Sequence, residues 1–191
     1  ISTESPFDKP KLNSVGKLIP GCQVRICALQ EEPGTSSTEG EIAVNTPYLM
    51  RGYYQDTGAE QTQLKDGWFY TGDIGRIDGD GYLYITGRKK ELIIRAGINI
   101  SSREIEDVLG KHEMIEEVAV VGIADELYGE EIVAVVSLKD ESKQKANKEE
   151  ILKFCKARLS EFKRPQEIVF IEQFPRSVTG KIQKNKLKMM L

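Results

Sequence analysis

The segment best suited to chemistry is residues 174–181, with the sequence Phe-Pro-Arg-Ser-Val-Thr-Gly-Lys. Gly180 lets the backbone turn and a ligand approach closely, and Lys181 presents a compact positive charge that suits a carboxylate or a phosphate. A phosphate-binding P-loop differs at two positions, because Pro175 stands where a glycine is needed and Ile182 where a hydroxyl would hold magnesium. Taken alone, the segment is better explained as a surface turn with a solvated lysine.

Two further polar groups follow apolar or aromatic runs. Asp73 comes after an aromatic run that ends at Tyr70, and a carboxylate at a strand end can accept two hydroxyls, as from a ribose. Arg88, Lys89 and Lys90 form a basic cluster ahead of the apolar segment 92–94. This cluster favours a hinge that also touches phosphate, although a solvated connection between strands explains it equally well.

Composition excludes several kinds of site. His112 is the single histidine, and the three cysteines form no Cys-x-x-Cys pair, so a Ser-His-Asp triad, a zinc site and a disulfide framework are not expected. The run 78–81, Asp-Gly-Asp-Gly, resembles the start of a calcium loop, but Leu83 and Lys89 replace the required glycine and acid. We therefore expect a turn there and no metal site, and His112 is interpreted as a helix-end residue.

Charge is distributed unevenly along the 191 residues. Residues 1–138 carry a net charge of −10, and residues 139–191 a net charge of +7. The basic segment indicates either an anionic ligand or a solvated lysine-rich helix face. Aromatic residues are not interleaved with these lysines, which argues against nucleic acid as a partner, and no apolar run approaches the ~18 residues of a membrane helix.

Periodicity predicts an α+β fold in two parts. Only strands are expected before residue 90, as hairpins of 24–28 with 42–44 and of 74–77 with 82–85, because apolar residues alternate there around turn-forming residues. Beyond residue 100 two helices alternate with three buried strands, at 118–123, 132–138 and 168–171. Ser101 with Glu104 forms a capping box for the first helix, and Asn147 caps the second. The boundary falls near residues 88–90.

The order of the motifs carries more information than any one of them. The chain closely resembles the C-terminal part of the AMP-forming acyl-CoA synthetases, in the adenylate-forming superfamily. The resemblance covers roughly residues 12–187 through ordered blocks at 40–42, 48–54, 67–73, 87–90, 97–106, 128–130 and 175–181. It implies that residues 1–89 form an incomplete, barrel-like β-subdomain of a large adenylating domain. Residues 90–191 would form a small mixed α/β lid domain with a three-stranded sheet.

The implied activity is a two-step ligation that uses ATP with Mg²⁺ and then coenzyme A, with fatty acids as the preferred substrates. The resemblance makes Lys181 the catalytic residue for adenylation and places Asp73, Ile85, Arg88 and Lys181 at the nucleotide. It makes Lys90 the hinge about which the lid swings. Ala96, Gly97 and Ile98 would line the passage for the pantetheine arm of coenzyme A. It also implies a cytoplasmic enzyme, with peripheral attachment to a membrane surface as an open alternative.

The departures from the family pattern bear on activity. The family's phosphate loop and the block that builds the acyl pocket are absent, so we expect this chain alone to be inactive and to need an N-terminal domain. The first residue is Ile1, which favours a piece of a longer protein. A noncatalytic lid-like module that binds a nucleotide or a partner is the alternative, and a peptide-synthetase adenylation domain is a third hypothesis.

Overall fold

The computed structural model describes residues 2–3, 11–29, 38–50, 63–140 and 147–191. The chain forms two compact units, Ile1–Lys90 and Glu91–Leu191. Residues 31–37 of the long hairpin connection and residues 51–54 of one family block lie outside the described residues. The assignment of each unit to a subdomain of a longer enzyme stays a prediction.

The first unit consists of strands, as its alternating apolar pattern predicts. A sheet forms from β3 (Gln23–Cys27), β4 (Gly40–Asn45), β5 (Leu64–Lys65), β6 (Trp68–Ile77) and β7 (Leu83–Arg88). The short strands β1 (Ser2–Thr3) and β2 (Lys17–Leu18) pair separately. Both predicted hairpins are confirmed, because β3 pairs with β4 and β6 with β7, each antiparallel. The larger sheet is curled but does not close into a barrel within the described residues.

The second unit packs helices on both faces of a mixed sheet. Its strands are β8 (Leu92–Arg95), β9 (Ile98–Ser101), β10 (Ile115–Asp125), β11 (Gly129–Leu138) and β12 (Glu167–Phe170), and its helices are α1 (Ser102–Leu109), α2 (Lys148–Lys156) and α3 (Lys184–Met190). The core between the sheet and α1 and α2 contains Ile105 and Ile151, both fully buried. Leu187 of α3 packs on the other face. Burial on both faces explains the continuous apolar runs of β10 and β11.

The prediction of three strands in this unit was wrong, because the sheet has five. The additional strands β8 and β9 have four residues each and form a hairpin. Strands of this length are too short for an alternating pattern to stand out in the sequence. The capping box was also wrong. Ser101 is the N-cap of α1 but makes no side-chain cap hydrogen bond, and the Glu104 carboxylate binds the Lys163 ammonium instead, at 2.7 Å.

The cap of the second helix is confirmed, since Asn147 Oδ1 accepts a hydrogen bond from the Glu149 N–H at 2.9 Å. The three cysteines are free thiols. Among the described residues no helix combines the length and apolar composition needed to cross a membrane.

Candidate functional site

Asp73, in the middle of β6 rather than at the strand end that the sequence predicted, and Arg88, the last residue of β7, form a pair across two neighbouring strands. They face each other directly across β6 and β7, and Arg88 Nε lies 2.9 Å from Asp73 Oδ1. The Asp73 side chain is a quarter exposed and that of Arg88 about half exposed, so both can reach a ligand. The carboxylate can accept hydroxyl hydrogens, and the guanidinium contributes positive charge beside it.

A buried carboxylate that the sequence interpretation did not assign supports this pair. Glu41 is 7% exposed. Its Oε1 accepts a hydrogen bond from the Gly72 N–H at 3.2 Å, and its Oε2 lies 2.7 Å from the Lys89 ammonium. Glu41 thereby ties the residue before Asp73 to the residue after Arg88. A glutamate within the apolar run of β4 was the signal that could have identified it, because a buried charge requires partners.

A polar cleft of about 640 Å³ in the first unit is lined by Glu41, Gly72 and Arg88, whereas Asp73 is not among its lining residues. Four cationic side chains line it, from Lys65, Arg88, Lys89 and Lys90, which suits an anionic ligand. Lys90, the predicted hinge, is the last residue of the unit. Ile85 instead packs against the core around Ile42 and Leu83, so its contact with a nucleotide stays a prediction.

In the second unit, Ala96 and Gly97 form a two-residue hairpin turn between β8 and β9. Their φ angles are 51° and 79°, the positive pair that a type I′ turn requires. The Ala96 N–H donates to the Tyr128 carbonyl at 2.7 Å. Ile98 follows the turn and is 46% exposed, so the turn presents a small apolar surface to solvent.

Arg95 holds this turn against the rest of the unit. Its guanidinium donates to Glu131 Oε1 at 3.1 Å and to the Phe162 carbonyl at 3.2 Å. It also lies 4.8 Å from the centre of the Tyr128 ring, within cation–π range. These contacts compensate its charge, so Arg95 has a structural role.

Lys181 ends a short exposed loop with its own internal hydrogen bonds. A bridge joins Arg176 to Ile182, the Ser177 N–H donates to the Lys181 carbonyl at 2.8 Å, and Gly180 adopts a φ of 81°. Arg176 donates to the Gly180 carbonyl at 2.9 Å and forms an ion pair with Glu117. The loop therefore presents an exposed lysine from an ordered backbone.

The Lys181 loop and the Ala96–Gly97 turn lie at opposite ends of the β10–β11 hairpin. The loop is attached through Arg176 to Glu117 near the start of β10. The turn is attached through Tyr128, in the connection that follows Asp125 at the end of β10. Glu117 and Asp125 are separated by about 26 Å at the usual rise of about 3.3 Å per residue. The two elements therefore present different surfaces of the same unit.

Two other candidates have structural roles. Asp78 Oδ1 accepts hydrogen bonds from Asp80 N–H and Tyr82 N–H, both at 2.9 Å, which confirms the predicted turn. The Lys11 ammonium beside Asp78 holds the pKa of that carboxyl well below its usual range. His112 is buried after α1, where its Nδ1 accepts from the Met114 N–H. Within the described residues no group of three metal-ligating side chains lies together.

Comparison with known proteins supports one family. Residues 104–181 match the model of the AMP-binding enzyme C-terminal domain. The indoleacetate–CoA ligase of Aromatoleum aromaticum is 41% identical over 181 residues, which cover 95% of this chain and 35% of that protein. The mitochondrial medium-chain acyl-CoA ligase of Homo sapiens is 40% identical over 182 residues, covering 93% of this chain and 29% of that protein.

A solved structure agrees with both. ATP-bound MatB from Rhodopseudomonas palustris superimposes with a TM-score of 0.84 at 30% identity, over 97% of this chain and 37% of that one. The chain thus spans about a third of the length of the relatives it matches. By sequence and by fold, the chain belongs to the adenylate-forming superfamily and corresponds to the C-terminal portion of its AMP-forming acyl-CoA ligases.

Proposed function

We propose that the chain serves an ATP-dependent, AMP-forming acid–CoA ligase. In the first step, a carboxylate oxygen of the acid attacks the α-phosphorus of ATP, and the bond to pyrophosphate breaks, giving an acyl-adenylate. In the second step, the sulfur of coenzyme A attacks the acyl carbon and AMP leaves, while the thiol proton passes to solvent. The reaction needs Mg²⁺ with ATP, and we assign none of the described residues to it.

In this proposal the first unit supplies the ribose and phosphate contacts, and the second unit supplies Lys181. Asp73 accepts the ribose hydroxyls through its partly exposed carboxylate, and Arg88 neutralises charge on the ribose and phosphate side. Lys181 bridges the substrate carboxylate and the nucleotide, where its point charge stabilises the negative charge that builds up during attack on phosphorus. Glu41 keeps the backbone on either side of the Asp73–Arg88 pair in register.

The second step uses the Ala96–Gly97 turn. A Cβ added at Gly97 would meet no other atom within 4 Å, so space is available there for the pantetheine arm. Ile98 contributes an exposed apolar side chain to the same surface. The proposed contacts with coenzyme A are therefore made by the exposed backbone of the turn and by the Ile98 side chain.

The single observation that carries the proposal is the separation of Lys181 from the turn along the β10–β11 hairpin. One unit whose two functional surfaces are attached at opposite ends of the β10–β11 hairpin does not present both to one acyl group in a single placement. Reorientation about Lys90 between the two steps resolves this conflict, which supports the assignment of each surface to one step.

The test uses the complete reading frame that encodes this chain. Lys181→Ala should lower acyl-adenylate formation by several hundredfold, yet leave thioester formation from preformed acyl-adenylate within about twofold of the parent, because an electrostatic contact of this kind is typically worth 10²–10³-fold. Lys186→Ala, which removes an exposed lysine of α3, is the matched control. Equal adenylation by Lys181→Ala and the parent would sink the role of Lys181.

The substrate class is the second part of the proposal. The relatives act on acids as different as indoleacetate and medium-chain acyl groups by their names, and we favour fatty acids. A panel of saturated fatty acids and aryl acetic acids, assayed by pyrophosphate release, tests this preference. A kcat/KM higher for the aryl acids would overturn it without affecting the proposed reaction.

A further inference from the structure

Lys184, the first residue of α3, is the most completely engaged lysine near the Lys181 loop. Its ammonium lies 2.7 Å from Glu106 Oε1, 2.9 Å from Glu91 Oε2 and 2.9 Å from Ser102 Oγ. An ammonium has three donors, so these three acceptors satisfy it. Its side chain is 19% exposed, unlike the exposed Lys181 and Lys186.

The three acceptors come from separate parts of the second unit. Glu91 is its first residue, directly after the proposed hinge, and Ser102 begins α1 and is 2% exposed. Glu106 Oε1 also accepts a hydrogen bond from the Val120 N–H of β10 at 2.8 Å. Lys184 therefore joins α3 to α1, to the central sheet through Glu106, and to Glu91 at the start of the unit.

This junction fixes one end of the loop that carries Lys181. Arg176 anchors the other end at Glu117, and the Gln183 N–H donates to the Pro175 carbonyl at 2.8 Å, closing the base of the loop. Lys181 itself is exposed and lies three residues before Lys184. The backbone from which its ammonium projects is therefore held by the anchors on either side.

We propose that Lys184 is a positioning residue for adenylation, which acts by holding the Lys181 loop and does not touch the substrate. The proposal rests on the proposed function of Lys181. Removing the ammonium leaves two carboxylates, Glu91 and Glu106, facing each other without a counter-charge, so α3 shifts away from α1. A displacement of about 1 Å at a reacting group can cost about 10²-fold in rate.

We expect the effect mainly in one half-reaction, although Lys188 of α3 also lies 3.5 Å from Glu130, which binds the Ile94 N–H of β8. The Ala96–Gly97 turn has its own anchors, the Arg95 guanidinium and the Tyr128 carbonyl, at the other end of the β10–β11 hairpin. A purely stabilising ion cluster would affect adenylation and thioester formation alike, because unfolding removes both surfaces together. The ratio of the two half-reactions therefore separates positioning from stability.

The test compares Lys184→Met, Lys184→Arg and the control Lys186→Met in the complete reading frame. Each half-reaction is measured separately, as pyrophosphate release and as thioester formation from preformed acyl-adenylate. Lys184→Met should lower kcat for adenylation roughly 10- to 100-fold, with KM for ATP and the thioester step within about twofold of the parent. Lys184→Arg should recover most of the loss, and Lys186→Met should match the parent.

Equal losses in both half-reactions, or no loss in adenylation, would overturn the proposal. If Lys184→Met does not fold, Glu106→Gln provides the test, because this variant keeps an acceptor oxygen for the Val120 N–H and removes only the charge. Unchanged adenylation in Glu106→Gln would also overturn the proposal. A parent enzyme that forms no acyl-adenylate contradicts the proposed function instead. If Lys184→Met adenylates normally while Lys181→Ala loses adenylation, the role of Lys184 is contradicted and the role of Lys181 stands.

Discussion

The Ala96–Gly97 turn offers a prediction in which two adjacent substitutions act in opposite directions. Both residues have positive φ, 51° and 79°, and only glycine tolerates that region without a steric cost. Gly97→Ala should destabilise the second unit, whereas Ala96→Asn should stabilise it, because asparagine tolerates the left-handed conformation and is preferred at the first position of a type I′ turn.

The magnitude follows from the space around the turn. A Cβ at Gly97 meets no other atom within 4 Å, so Gly97→Ala changes only the backbone energy. The left-handed conformation costs a non-glycine residue about 1–2 kcal/mol, while the smaller freedom of alanine in the unfolded chain returns about 0.4–1 kcal/mol. We expect a net loss of about 1 kcal/mol for Gly97→Ala and a gain of about 0.5 kcal/mol for Ala96→Asn.

The assay is urea denaturation followed by far-ultraviolet circular dichroism, with amide hydrogen exchange of β8 and β9 as a local measure. Both variants should keep the m-value of the parent, because neither changes the surface exposed on unfolding. Two results would refute the reasoning: a Gly97→Ala variant as stable as the parent, or an Ala96→Asn variant that loses stability. The first would show that the left-handed backbone at Gly97 carries no energetic cost, and the second that asparagine does not relieve the cost at Ala96.

Two further predictions concern the core and a helix end. Burial raises the pKa of the Cys155 thiol from 9.0 to about 11, so the thiol of the unfolded chain ionises first as the pH rises. Between pH 8 and pH 10 the free energy of unfolding of the parent should therefore fall by about 1.3 kcal/mol more than that of Cys155→Ala. Urea denaturation at both pH values measures this difference, and equal losses would contradict the shift. Asn147→Ala should cost about 1 kcal/mol by removing the cap of α2, with Asn147→Asp near the parent in thermal unfolding; a neutral alanine variant would show that the cap is dispensable.

Several features of the fold were predictable because they depend on neighbours in the chain. The alternation around residues 24–28 and 42–44 predicted a hairpin, and Asn147 predicted a helix start, since both signals act within a few residues. The continuous apolar runs of β10 and β11 predicted strands buried on both faces. The short hairpin of β8 and β9 was not predicted, because four-residue strands supply too few alternations to distinguish them from a connecting loop.

The site divides in the same way. The amino-acid sequence by itself determined which residues could serve a ligase of this family, because Asp73, Arg88 and Lys181 stand in recognisable local motifs. Only the tertiary structure paired Asp73 with Arg88, buried Glu41 beneath them and engaged Lys184 with Glu106, 78 positions away in the chain. Contacts over such distances depend on how strands register and helices pack, and no local pattern encodes them.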